Sequence, residues 1–137
     1  MIVGIGTDIS SFEHLKKKME QMPTLLCRLF TDNEISYINQ ANDEQCRLGR
    51  IAKRFSAKEA FAKALGVGIG EVSFLDIEVC RKDSGMPFIR CSKNVEKLIK
   101  DKMPDGFYPQ IHLSLSDDND CAIAFVVIEA VKSLNNL

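Results

Sequence analysis

The sequence predicts one α+β domain, residues 1–137, in which a mostly antiparallel sheet packs with one long helix and several shorter ones. Three observations predict it. The chain has 137 residues, 45% hydrophobic and 27% charged, which suits one soluble core and is short for two. Strand-like and helix-like stretches come in mixed order, and strand-like segments are joined by tight turns instead of crossover helices. Between about Cys46 and Leu65 there is no proline and only Gly49 as an internal glycine, so that span reads as the longest helix.

Residues 2–9 mix β-branched residues with glycines and read as a strand. Strand alternation puts Ile2, Gly4, Gly6 and Asp8 on one face and Val3, Ile5, Thr7 and Ile9 on the other, leaving the first face nearly bare with a carboxylate at its end. Ser10 or Ser11 can cap a helix running to about Gln21, before Pro23, with Phe12, Leu15 and Met19 near helical spacing. A short helical segment is expected over Thr24 to Phe30. Thr31 followed by Glu34 is a capping-box pattern that opens another helix through Asn39. Residues 39–45 read as a loop or the start of the long helix, and Gly66 as its left-handed cap. Gly66 to Gly70 is then a loop, and Phe74 to Arg81 and Phe88 to Cys91 form a hairpin around Lys82 to Pro87. Ser92 or Asn94 to Lys102 fits a short amphipathic helix. Two apolar strands, Gln110 to Ser116 and Cys121 to Val131, follow around an Asp/Asn turn.

A formal net charge of −1 gives no global reason to bind nucleic acid or an anionic membrane. The five cysteines are odd in number and contain no C-x-x-C pair, so reduced thiols in a cytoplasmic protein are expected. The opening residues Met1-Ile2-Val3-Gly4 do not read as a basic leader or a membrane-length apolar run, so neither secretion nor membrane insertion is expected.

The glycines near the start do not make a dinucleotide fingerprint, because Ile9 stands at the third glycine position. Gly66 to Gly70 follows a helix and lacks a Gly-Lys-Ser/Thr ending, so a cap and turn explain it better than a phosphate cradle. Glu59 and Lys63 stand four apart in the order that favours an ion pair, and a solvent-facing salt bridge would suffice for them. Their helix face, however, also carries Ala52, Phe55 and Ala62, which would partly enclose Glu59. An enclosed carboxylate resists ionisation unless a cation joins it. Asp8 is the candidate second carboxylate, and two carboxylates completed by water and phosphate oxygens are the usual setting for Mg²⁺.

Gly4-Ile5-Gly6-Thr7-Asp8-Ile9 and Arg54-Phe55-Ser56-Ala57-Lys58-Glu59-Ala60-Phe61-Ala62-Lys63-Ala64-Leu65-Gly66 resemble the two signatures of phosphopantetheinyl transferases, the small bacterial synthase type above all. The resemblance continues through Phe30 to Glu34, Asp76 to Val79, Gly85-Met86-Pro87 and His112 to Asp117. It implies the fold of that superfamily. It also implies Mg²⁺-dependent transfer of 4′-phosphopantetheine from coenzyme A to a serine of apo acyl carrier protein, releasing adenosine 3′,5′-bisphosphate, in fatty acid biosynthesis. Asp8 and Glu59 match the family's metal carboxylates. Lys58, Lys63, Gly66, Pro87 and Ser116 are the expected coenzyme A contacts, and Glu59, Lys63 and Asp117 the expected catalytic residues. The acceptor of the serine proton stays open between Glu59, a metal-bound water and Asp117. Some relatives carry histidine at Asp117, and relatives often carry lysine at Met86 and arginine near His14. The resemblance further implies a homotrimer with coenzyme A between protomers. Lys16, Lys17, Lys18 and Arg28 form the basic surface expected to meet an acidic carrier protein. Two rival readings reuse the same charged pocket: a non-catalytic binding module and a metal-dependent pyrophosphate hydrolase.

Overall fold

In a computed structural model describing residues 1–68 and 70–134, the chain opens with β1 (Ile2–Ser11), and Ser11 caps α1 (Phe12–Gln21) by accepting from the His14 amide. The short α2 (Leu25–Leu29) precedes α3 (Asp32–Asn39). The capping box that opens α3 is fully formed: Thr31 Oγ1 accepts from the Glu34 amide and Glu34 Oε1 accepts from the Thr31 amide. The long helix α4 spans Glu44–Leu65, with Asp43 as its N-cap and Gly66 ending it at φ 74°. That positive φ favours glycine.

β2 (Ile77–Arg81) and β3 (Pro87–Cys91) form an antiparallel hairpin, α5 (Lys93–Asp101) follows, and β4 (Phe107–Asp118) and β5 (Cys121–Lys132) complete the fold. The sheet order is β1-β5-β4, all antiparallel, with β2-β3 as a separate pair. The expected strand from Phe74 is shorter at its start. Ser73 accepts from the Leu75 amide and winds Phe74–Asp76 into a 3₁₀ turn before β2 begins. β4 starts earlier than expected and passes through Pro109. As an edge strand it can carry a residue with no N–H to donate. Ile69, within the expected loop after α4, lies outside the described residues.

The bare face of β1 is where α4 packs. A Cβ at Gly4 would sit 1.9 Å from the Ala64 carbonyl oxygen, and one at Gly6 would sit 1.8 Å from that of Ala60. Only glycine lets the helix backbone approach the strand this closely. On this plane Ala57, Ala60, Phe61, Ala124, Val126 and Ile128 form a buried core under the sheet. A second cluster, including Phe12, Leu15, Phe30, Ile38 and Ile51, ties α1, α2 and α3 to the first half of α4.

Candidate active site

The close crossing of β1 and α4 determines what lies at its end. Four helical residues and two strand residues both advance by roughly 6–7 Å, so the pairs Gly4–Ala64 and Gly6–Ala60 keep step. Further along, the Ser10 and Ser56 hydroxyls share a 2.5 Å hydrogen bond. Asp8 lies between, and Lys63 and Glu59 each precede one of the contacting alanines along the helix. Lys63 Nζ donates to Asp8 Oδ1 at 3.3 Å and to the Thr7 carbonyl at 3.0 Å, while Ser10 Oγ donates to Asp8 Oδ2 at 3.3 Å. Asp8 and Glu59 line one hollow of about 330 Å³ with Ser11, His14, Lys18 and Phe55.

The Glu59 carboxyl titrates above its usual range, first through burial and then through the Asp8 charge, against opposing pulls from Lys63 and Lys18. Two carboxylates on one hollow, one of them resisting ionisation, are a donor set that a hard cation would relieve. Among the described residues no three His, Cys, Asp or Glu side chains cluster as a metal cage. A cation here would complete its shell with water or ligand oxygens, which is how Mg²⁺ is usually held.

A second hollow, of about 190 Å³, is lined by Tyr37, Lys53, Arg54, Arg81, Gly85 and Pro87, among others. The Tyr37 ring meets the guanidinium carbons of Arg50 at 4.0 Å, Arg54 at 4.1 Å and Arg81 at 5.0 Å. Arg81 also donates to the Tyr37 hydroxyl, and Arg50 to the Tyr37 carbonyl. Arg54 is 4% exposed, and its buried Nε has no hydrogen-bond partner. Burial pulls its guanidinium below the usual range, against the pull of Tyr37 and Glu34. So many crowded cations with an orphaned buried donor describe an anion site. Pattern reasoning passed over Tyr37, Lys53 and Arg81. The signal was available in part, because Arg50, Lys53 and Arg54 stand at i, i+3 and i+4 on α4.

The other expected site residues lie elsewhere. Lys58 is a correction: its side chain is fully buried, and its ammonium donates to the Glu34 carboxylate and to the Leu29 and Phe74 carbonyls. With three donors and three acceptors, it has none left for a pyrophosphate. Asp117 does not join Asp8 and Glu59 within this chain; it pairs with Lys53 at 3.3 Å and lines a different hollow with Cys46 and Gly49. Gly66 serves as the α4 cap, and Ser116 is exposed, paired in register with Ile123. His112 binds Glu129 at 2.9 Å across β4 and β5. Of the basic group, Lys18 lines the carboxylate hollow, Lys17 pairs with Glu13 at 3.2 Å, and Lys16 and Arg28 are exposed.

The sequence profile of the 4′-phosphopantetheinyl transferase superfamily matches residues 4–125, a span running from β1 into β5. The chain belongs to that superfamily. This transferase is 38% identical over 133 residues to the holo-[acyl-carrier-protein] synthase of Xanthobacter autotrophicus, covering 96% of each chain. It is 39% identical over 134 residues to the synthase of Anoxybacillus flavithermus, covering 97% of this chain and 100% of that one. Its fold superposes on the crystal structure of the Neisseria meningitidis synthase with a TM-score of 0.82 at 37% identity, over 94% of this chain and 99% of that one. The Bacillus anthracis synthase in complex with CoA (3′,5′-ADP) gives a TM-score of 0.78, also at 37% identity, over 96% and 99%. The α+β class and the transferase class expected from the sequence both hold.

Proposed function

We propose that this transferase is a holo-acyl-carrier-protein synthase that moves 4′-phosphopantetheine from coenzyme A to a serine hydroxyl of apo acyl carrier protein, releasing adenosine 3′,5′-bisphosphate for fatty acid biosynthesis in the cytoplasm. The observation that carries this reading is the convergence of Asp8, Glu59 and Lys63 at the end of the β1–α4 crossing. Similarity to synthases, one of them complexed with CoA (3′,5′-ADP), supports the substrate. Among the described residues no helix is long and apolar enough to cross a membrane.

Asp8 and Glu59 would hold Mg²⁺, which when bound supplies positive charge to the pyrophosphate oxygens. The Lys63 ammonium, half exposed beside Asp8, adds a mobile point charge to the same end of the donor. Arg54, Arg81 and Lys53 bind a phosphate of the nucleotide portion, with Pro87 on the wall of that hollow. Transfer forms a bond from the serine oxygen to the phosphorus carrying the pantetheine arm, and breaks that phosphorus's bond to the bridging pyrophosphate oxygen. The bond's electron pair leaves with adenosine 3′,5′-bisphosphate.

The sheet face away from α4 supports assembly, and the reading includes a homotrimer with coenzyme A between protomers. Ile9 is 65% exposed and Phe125 45%, on strands whose alternate residues are buried. An apolar sheet face left in water is a common mark of an interface. Lys16, Lys17, Lys18 and Arg28 offer the acidic carrier a basic approach.

The test is to incubate the protein with coenzyme A, Mg²⁺ and apo acyl carrier protein and to weigh the carrier by mass spectrometry. A gain of one phosphopantetheine is expected. Coenzyme A cleavage without any carrier would favour a hydrolase, and binding without turnover a non-catalytic module. Light scattering at working concentration checks the trimer.

A further inference from the structure

We propose that Asp117 is a positioning residue that limits how tightly the anion hollow holds the nucleotide. It keeps Lys53 in an ion pair, so a bound phosphate must share that cation and the bisphosphate product is released more readily. The role rests on the synthase reading above and concerns the hollow assigned there to a nucleotide phosphate. Three cations line that hollow, Lys53 and Arg54 from α4 and Arg81 from β2. Arg54 donates to the Arg50 carbonyl and Arg81 to the Tyr37 hydroxyl, both neutral acceptors. Among the described residues, only Lys53 of the three sits in a salt bridge, with its Nζ 3.3 Å from Asp117 Oδ1. Asp117 reaches it from the end of β4. The strand register pairs Asp117 with Ala122, which is fully buried in the cluster around the first half of α4, so Asp117 stands on the sheet face that covers this helix. Its Oδ2 comes within 3.7 Å of where a Cβ of Gly49 would stand, one helical turn before Lys53.

Lys53 thus borders two hollows at once, the anion hollow with Arg54 and Arg81 and the neighbouring one with Asp117. The Lys53 side chain is 29% exposed and that of Asp117 44%, so burial does not lock the pair. An ammonium has three donors and can serve a carboxylate and a phosphate together. The carboxylate nonetheless repels the phosphate that shares its cation. Transfer makes that repulsion useful. It turns the bridging phosphate of the nucleotide portion into a terminal one, so the product carries more negative charge than the same portion did in coenzyme A. Three fully available cations would hold that product hardest, and the counter-charge of Asp117 eases its departure.

The experiment titrates adenosine 3′,5′-bisphosphate into the wild type, Asp117→Asn, Lys53→Met and the double variant by calorimetry. The carrier mass assay gives kcat, KM for coenzyme A and inhibition by the bisphosphate for the same proteins. Asp117→Asn keeps the size of the side chain and loses its charge, and circular dichroism verifies the fold. It should bind the bisphosphate about three- to fivefold more tightly, the scale of a partly exposed ion pair. Product inhibition should strengthen and KM for coenzyme A fall in step, with kcat no higher, a split that a merely structural role would not produce. The gain should shrink in high salt and vanish in the Lys53→Met background, while Lys53→Met alone weakens binding. Unchanged or weaker bisphosphate binding by Asp117→Asn, an equal gain without Lys53, or binding that Lys53→Met leaves untouched overturns the role of Asp117 alone. A wild type that adds no mass to the carrier overturns the synthase reading itself and this proposal with it.

Discussion

Lys58 Nζ lies 2.6 Å from Glu34 Oε1, and neither side chain is exposed to solvent. The pair is a junction as much as an ion bridge. Lys58 also binds the carbonyls that end α2 and begin the 3₁₀ turn, while Glu34 accepts from the Val79 amide of β2. Four separate segments are thereby held against α4 one residue away from Glu59. Burial pulls the Lys58 ammonium below its usual range, and the Glu34 carboxylate beside it opposes that pull.

Removing one member therefore strands the other. Lys58→Met should lower the urea-unfolding free energy by about 3–5 kcal/mol, the usual cost of leaving a buried charge without its partner. Glu34→Gln keeps the shape but loses the charge, and should weaken the protein in the same direction. If Lys58 instead served coenzyme A directly, Lys58→Met would leave the unfolding curve in place and raise KM for coenzyme A.

How much of this was legible in the sequence depends on whether neighbours along the chain were enough. The bare face of β1 was plain from alternation, as were the Thr31–Glu34 capping box and the Gly66 cap, because each is a local rule. That Gly4 and Gly6 exist to admit the backbone of α4 was not, since a missing side chain does not say what fills its place. Lys58 was misplaced because it adjoins Glu59 in one motif. A helix turns by about 100° per residue, and that turn sends Lys58 into the core and Glu59 to the hollow. The Tyr37 cluster needed α3, α4 and the hairpin to be brought together, which no single stretch of sequence records.

The glycine contacts give a sharper prediction. At Gly6 an added methyl would meet backbone, the Ala60 carbonyl, at 1.8 Å, and cannot be relieved by a side-chain rotation. Gly6→Ala should cost about 3 kcal/mol or more, at or above the top of the usual overpacking range. It should also reduce transfer in whatever folded fraction remains, because pushing α4 away separates Glu59 from Asp8. Thermal unfolding and the carrier mass assay check the two effects on one sample. A fully stable, fully active variant would mean that the strand and helix do not touch there.

The thiols should divide by environment. Burial, seconded by Glu96, pushes the Cys91 thiol up to about 12, and burial with the Glu78 carboxylate pushes Cys80 up to about 11. Cys27, Cys46 and Cys121 are exposed. Since the thiolate is the reactive form, iodoacetamide at mildly alkaline pH should label those three first, with Cys80 and Cys91 protected until unfolding. Peptide mapping over a time course reads the order, and early labelling of Cys91 would contradict its packing from β3 against the main core cluster.

The final prediction turns on the sign of the Glu59 shift. Its carboxyl titrates above the ordinary value of 4.5 in the folded protein, so between that value and the folded one the native state holds more protons than the unfolded chain. Stability contributed by this group therefore falls as pH rises through that window, and the deficit is fully present once pH lies above the folded value. Glu59→Gln removes the group that resists ionisation, so in chelator at neutral pH it should melt at a higher temperature than the wild type, with the gap closing on acidification. Adding Mg²⁺ should raise the melting temperature of the wild type and leave that of Glu59→Gln nearly unmoved, while the variant loses transfer activity. A variant more stable but less active is what a charge kept for binding, at some expense to folding, requires. Equal melting in chelator, or an equal Mg²⁺ response in both proteins, would remove Glu59 from the cation site.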